Sequence, residues 1–177
     1  MSEEVVSRAR RIKLLLMDCD GVLTDGHLWL TENDDEQKAF HARDGLGISL
    51  MHRAGLRTGI ITGRKSTAVD RRARDLKMSY VHQFAKDKVK ALSEIIAEAG
   101  VSVEECAFVG DDLADIPPMR RVGFAAAVAD AVEETKQAAH YVTCLKGGQG
   151  AVREVCELIL KAQGRWEELM QIFSVVI

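Results

Sequence analysis

Short apolar runs recur along the chain, and each breaks at a polar or glycine-bearing segment. Residues 12–17 (IKLLLM), 56–61 (LRTGII), 80–81, 105–110 (ECAFVG), 124–129 (FAAAVA) and 140–143 (HYVT) have the length of strands, and most are apolar throughout, as strands buried on both faces are. Helical stretches alternate with them. Residues 48–55 end at Gly55, and residues 66–77 open on Ser66 as a cap. Residues 87–99 place Val89, Leu92, Ile95 and Ile96 on one side and stop at Gly100. Pro117 and Pro118 restrict 112–120 to a short helix or turn, and 131–138 and 151–163 complete the series. Two segments fall outside the alternation. Residues 26–30 and 36–40 suit a hairpin around a polar turn with Asn33, Asp34 and Asp35. The tail, 164–177, is amphipathic and then apolar, and its FSVVI end needs cover from its own domain or a neighbouring subunit.

This alternation predicts an α/β fold, a mostly parallel sheet between helices. The 177 residues suffice for one core, so 1–177 is expected to be a single domain. With 24 Lys and Arg against 27 Asp and Glu, the net charge is −3, which gives no footing for nucleic acid or an anionic membrane surface. The basic run within 64–77 reads as a solvated helix face. Cys19, Cys106, Cys144 and Cys156 form no CxxC pair, so reduced, mostly buried thiols are expected rather than zinc ligands or disulfides. The polar, then basic N-terminus lacks a signal-peptide core, and no run reaches membrane-spanning length. A soluble, cytoplasmic protein is the expectation.

Chemistry enters where the strands end. In parallel sheets, functional groups gather outside the carboxyl ends of the strands. The first strand runs into Asp18-Cys19-Asp20-Gly21, whose two carboxylates share one side of an extended chain. ECAFVG runs into Asp111 and Asp112, with Asp115 close behind, and LRTGII runs into Thr62-Gly63. Clustered carboxylates without His or Cys suit a hard cation, and Mg²⁺ takes few protein ligands. Thr62 and nearby N–H groups can bind a phosphoryl oxygen, and Lys86 or Lys88 can add a positive charge. Together they suggest phosphoryl transfer through an aspartyl-phosphate. Asp18 would be the nucleophile, Asp20 the general acid and then base, and Asp111 a metal ligand. Asp112 and Asp115 would hold metal-bound waters or orient the lysine. Cys19 points to the opposite face and reads as packing.

DCDGVLTDG, ITGR, the lysine and VGDDLAD resemble the haloacid-dehalogenase superfamily of aspartate-nucleophile phosphatases. ARDGLG at 42–47, ITGRK at 61–65, VGDDLADIPPM at 109–119, KGGQGAVREV at 146–155 and LKAQG at 160–164 extend the likeness to its 3-deoxy-D-manno-octulosonate 8-phosphate phosphatases. The resemblance implies a Rossmann-like fold with a small hairpin and no large cap domain. It implies catalytic Asp18, Asp20, Thr62 and Lys88, with Lys88 matching better than Lys86. It also implies Mg²⁺ on Asp18, Asp111 and the backbone carbonyl of Asp20. A homotetramer joined through the hairpin at 26–40 and a tail that reaches a neighbour's site are further implications, as is a place in lipopolysaccharide synthesis. One departure is Phe84, where relatives usually carry Gly; another is Cys19, where they commonly carry a β-branched residue.

A capless site borrows its walls from loops or other subunits. Arg64, with Gly63 before it, and Arg43 are candidates for the carboxylate of a sugar acid, since Arg pairs with carboxylates bidentately. Arg43 also suits a surface or intersubunit ion pair. His41, close to ARDG, is a candidate to face the pocket. Trp29 suits packing in the hairpin or an interface. Gly147, Gly148 and Gly150 suit either a loop over the entrance or a structural turn. The alternatives to the eight-carbon substrate are a nine-carbon sialic-acid-like 9-phosphate and, in another class, a non-catalytic oligomerisation or regulatory domain.

Overall fold

The computed structural model describes residues 2–32 and 36–174. The chain opens with α1 (Glu3–Arg10), capped by Ser2, and enters β1 (Leu14–Met17), whose four side chains are all buried. Burial of every position in a strand means that both faces of the sheet are covered there. Each such Leu contributes about 1.5–3 kcal/mol over an exposed one. A short antiparallel hairpin, β2 (Trp29–Leu30) and β3 (Glu36–Gln37), leaves before α2 (Ala42–Arg53). The expected turn residues Asn33, Asp34 and Asp35 lie outside the described residues.

Strands and helices then alternate: β4 (Arg57–Ile61), α3 (Thr67–Asp75), β5 (Tyr80–His82), α4 (Lys88–Ala99), β6 (Cys106–Gly110), α5 (Ile116–Met119), β7 (Phe124–Ala127), α6 (Glu133–Ala138), β8 (Tyr141–Val142), α7 (Ala151–Ala162) and α8 (Trp166–Ser174). Their caps follow local chemistry. Ser66 accepts from the Ala68 N–H, Asp87 accepts from Val89 and Lys90, and Gly100 ends α4 in the left-handed conformation.

The six main strands are parallel in the order β5-β4-β1-β6-β7-β8. The chain therefore leaves β1 toward one edge of the sheet and later returns to build the other. The carboxyl end of β1, between β4 and β6, is the point where the winding reverses, and a crevice opens there. Helices α1 and α2 pack on α7, and α4 packs on α5. The core fills the space between these groups and the sheet, with Phe108 and Phe124 its largest fully buried side chains.

Two helices begin where the sequence pattern did not place them. No element was expected over 3–10, because α1 is polar and buries only Val5 and Ala9. Helix α2 begins at Ala42 rather than near Ile48. Gly45 and Gly47 disguise its first turns, and both lie where a Cβ would press on Arg72 or Arg153.

Candidate active site

Asp18 follows β1 directly, and its N–H donates to the Val109 carbonyl at 3.0 Å, which prolongs the ladder to β6 by one rung. The chain then turns tightly. The Cys19 carbonyl accepts from Leu23 and Thr24 at 2.9 and 3.1 Å, and the Thr24 hydroxyl accepts from Gly21 and Gly26. Gly21 has φ +89°, and a Cβ there would stand 2.1 Å from Asp111 Oδ2. Only glycine lets the Asp111 carboxylate come this close to the turn.

Carboxylate oxygens of Asp18, Asp111 and Asp115 lie within 4.8 Å of one another. Burial first, and then the Asp115 carboxylate, push Asp18 well above the usual carboxylate range, against the pull of Lys88. Asp111 is pushed up to about 8, first by burial and then by Asp18, Asp115 and Asp112. Asp111 Oδ1 is buried with no hydrogen-bond partner among the described residues. Like charges held together, one of them with an unspent buried oxygen, fit a divalent cation. An all-oxygen donor set suits Mg²⁺.

Lys88, in the first turn of α4, is buried. Its Nζ lies 3.0 Å from Asp18 Oδ1 and donates to Asp115 Oδ1 at 2.7 Å. Burial pulls the ammonium down, but Asp18 and Asp115 outweigh it and leave the pKa raised. Lys86 is exposed, so of the two lysines only Lys88 is brought to the carboxylates. Asp115 Oδ2 accepts from the N–H groups of Asp111 and Asp112 at 3.0 and 3.4 Å. Asp115 thus ties the lysine to the β6 exit. Asp112 is exposed, and its carboxylate accepts from the Leu113 N–H.

Thr62 follows β4 directly, is buried, and its hydroxyl accepts from the Arg64 N–H at 3.4 Å. Gly63, Lys86, Lys88, Ala114 and Pro117 border a cavity of about 570 Å³. A cavity of about 550 Å³ at the opposite, amino ends of the strands mixes Arg10 and Arg165 with Glu104 and Glu105, with no convergent chemistry.

The sugar-acid candidates are not in the same position. Arg64 is held by the hairpin: its Nε donates to Glu36 Oε1 at 2.8 Å. Arg43 borders a different cavity, with Gly150, Arg153 and Glu157. His41 caps α2, where its Nδ1 accepts from the Arg43 N–H. The Gly147–Gly148 segment lies against the turn after β1. A Cβ on Gly147 would meet the Gly21 carbonyl at 1.7 Å, and the Gly148 N–H donates to the Val22 carbonyl at 2.9 Å. It buttresses that turn.

Lys38 and Glu36 went unnoticed in the sequence. The Lys38 ammonium makes a short ion pair with Asp20 and a second with Glu36 at 2.9 Å. Burial works against the charge, yet hydrogen bonds to Asp20 and Glu36 raise the Lys38 pKa overall. The available signal was their spacing, which puts residues 36 and 38 on one face of an extended chain.

An aspartate pair leaving the central strand of a parallel sheet, with a lysine and further carboxylates from neighbouring strand ends and no large cap among the described residues, defines an aspartate-based phosphohydrolase of the haloacid dehalogenase class. A haloacid dehalogenase-like hydrolase family model matches residues 41–123. The chain is 43% identical to Escherichia coli K12 3-deoxy-D-manno-octulosonate 8-phosphate phosphatase KdsC, across 95% of this chain and 89% of that protein. The Moraxella catarrhalis 3-deoxy-D-manno-octulosonate 8-phosphate phosphatase, solved with magnesium, phosphate and KDO, superposes with TM-score 0.95 at 42% identity, over 98% of this chain and 99% of that one. The Yersinia pestis counterpart gives 0.92 at 43% identity, over 94% and 90%. The chain belongs to the 3-deoxy-D-manno-octulosonate 8-phosphate phosphatase family.

Proposed function

We propose that this protein hydrolyses 3-deoxy-D-manno-octulosonate 8-phosphate to the free sugar acid and phosphate, with Mg²⁺, through an aspartyl-phosphate on Asp18. The observation that carries the mechanism is the meeting of Asp18, Asp111, Asp115 and Lys88 at the switch point of the sheet. The substrate rests on the kinship with relatives of that activity. Asp18, Asp111 and the Asp20 backbone carbonyl would hold the metal, which supplies positive charge against the phosphoryl oxygens.

An Asp18 carboxylate oxygen attacks phosphorus, and the bond from phosphorus to the sugar oxygen breaks. Asp20 gives that oxygen its proton. Water then attacks the phosphorus of the acyl phosphate and passes a proton back to Asp20. The bond between phosphorus and the Asp18 oxygen breaks, which frees phosphate and restores the carboxylate. Lys88 and the Thr62 hydroxyl bind the phosphoryl oxygens as charge moves onto them. Asp115 holds Lys88 in place. Arg64 and Gly63 contribute to the sugar-acid subsite, and Arg64 must exchange Glu36 for the substrate carboxylate to do so. Arg43 faces another cavity in this protomer, so its part in recognition belongs to a neighbouring subunit's site. Four copies joined through the hairpins, each a single domain with its tail over a neighbour, complete this reading, and the product feeds lipopolysaccharide synthesis in the cytoplasm. Among the described residues, no helix is long and apolar enough to cross a membrane.

The test is phosphate release with Mg²⁺ from the eight-carbon substrate, a nine-carbon 9-phosphate analogue and a panel of other sugar phosphates. Preference for the eight-carbon compound, lost in Asp18→Asn, is expected. Preference for the nine-carbon compound would keep the mechanism and change the substrate. Inactivity on the whole panel by a stable oligomer would favour a regulatory domain instead.

A further inference from the structure

Glu36 opens β3 and Lys38 follows it, and both side chains turn under the hairpin rather than out to solvent. The Lys38 side chain is 1% exposed and the Glu36 side chain 8%. An ammonium so buried is costly unless paired, and here carboxylates meet it on two sides. On one side it grips Asp20 Oδ1, and on the other Glu36 Oε2 lies 2.9 Å away. Glu36 is itself held by Arg64, which follows β4. The chain of contacts Asp20–Lys38–Glu36–Arg64 therefore joins the exits of β1 and β4 through the hairpin. Asp20 Oδ2 is buried without a hydrogen-bond partner among the described residues. One oxygen of this carboxylate is pinned and the other is left unengaged.

We propose that Lys38 is a positioning residue for Asp20: backed by Glu36, it fixes Oδ1 and so presents Oδ2 as the oxygen that gives and takes the proton of the leaving group. The inference rests on Asp20 acting as the general acid and base. A carboxylate free to rotate would spend much of its time in unproductive orientations. One fixed by a buried cation is held near the geometry that transfer requires.

Leaving-group dependence tests this. A sugar alkoxide needs its proton as it departs, whereas 4-nitrophenolate is a far weaker base and leaves with little help. Lys38→Met is expected to lower kcat on the sugar phosphate about tenfold more than on 4-nitrophenyl phosphate, with KM changed little, a modest share of what general acid catalysis supplies. Lys38→Arg, which keeps a cationic donor, should recover part of the loss. Asp20→Asn serves as the benchmark and should show the same dependence more strongly. If Asp20→Asn slows both substrates equally, the acid–base reading of Asp20 fails. If Asp20→Asn discriminates but folded Lys38→Met slows both equally, or neither, the positioning role of Lys38 fails. Should Lys38→Met not fold, Glu36→Gln loosens the same contact and should show a smaller loss of the same kind, and equal effects on both substrates would again overturn the proposal.

Discussion

Phe84 carries a backbone that ordinarily belongs to glycine. Its φ is +58°, in the left-handed region, and the residue is 63% exposed. The conformation is imposed from outside, because the Phe84 N–H donates to the Arg64 carbonyl at 3.3 Å and the Ala85 N–H to the Thr62 carbonyl at 3.0 Å. A side chain there costs about 1–2 kcal/mol. Glycine would remove that strain and return about 0.5–1 kcal/mol of it as chain entropy. Phe84→Gly should therefore keep or gain stability, by up to about 1.5 kcal/mol, with Lys88 still seated; a thermal melt checks it, and clear destabilisation would mean that the ring packs on something. The residues of the site differ in how readable they were. Asp18 and Asp111 stand out because an apolar run that ends in acid has few structural excuses. The spacing of residues 36 and 38 does not by itself single out Lys38, since a lysine in a hairpin looks solvated until the fold buries it.

At the scale of elements, the central strands β1, β4, β6 and β7 were legible because each is short, largely apolar and covered on both faces, so pattern and packing agree. The early start of α2 was not, since its first turns are fixed by distant partners. The Asp44 carboxylate accepts from the Arg153 N–H at 2.7 Å, at the start of α7, a contact across the fold that no local pattern encodes. The side chains of the hairpin have different tasks. Glu36 and Lys38 are buried, while Leu28, Trp29 and Leu30 are 46, 62 and 74% exposed in the single chain. Adjacent apolar side chains left in water favour association. Changing all three to serine should shift sedimentation toward smaller species without altering far-ultraviolet circular dichroism. Unchanged sedimentation would place the subunit contacts elsewhere.

For the whole molecule, the crowded carboxylates set how stability responds to pH and metal. Asp111 is an acid whose folded value, about 8, lies above its ordinary 3.8, and Asp18 is raised in the same sense. Between those values the folded state holds more protons than the unfolded one. The contribution of these groups is thus full below about pH 3.8 and is lost as pH rises through about 8. Mg²⁺ binds the ionised carboxylates and only the folded site, so it restores what ionisation removes. The rise in Tm on adding Mg²⁺ should be larger at pH 8 than at pH 6. Equal rises would show that the carboxylates are already ionised at the lower pH.

The support that Gly147 and Gly148 give to the turn after β1 bears on how the protein is born. Synthesis proceeds from the N-terminus, and every side chain assigned to the chemistry has been made once Asp115 is joined. The segment that braces the first turn is made some thirty residues later. A nascent chain thus carries a full set of reactive groups for part of its synthesis without the brace that sets their geometry. A chain interrupted before Gly147 would hold every residue assigned to the chemistry and lack the support behind Gly21.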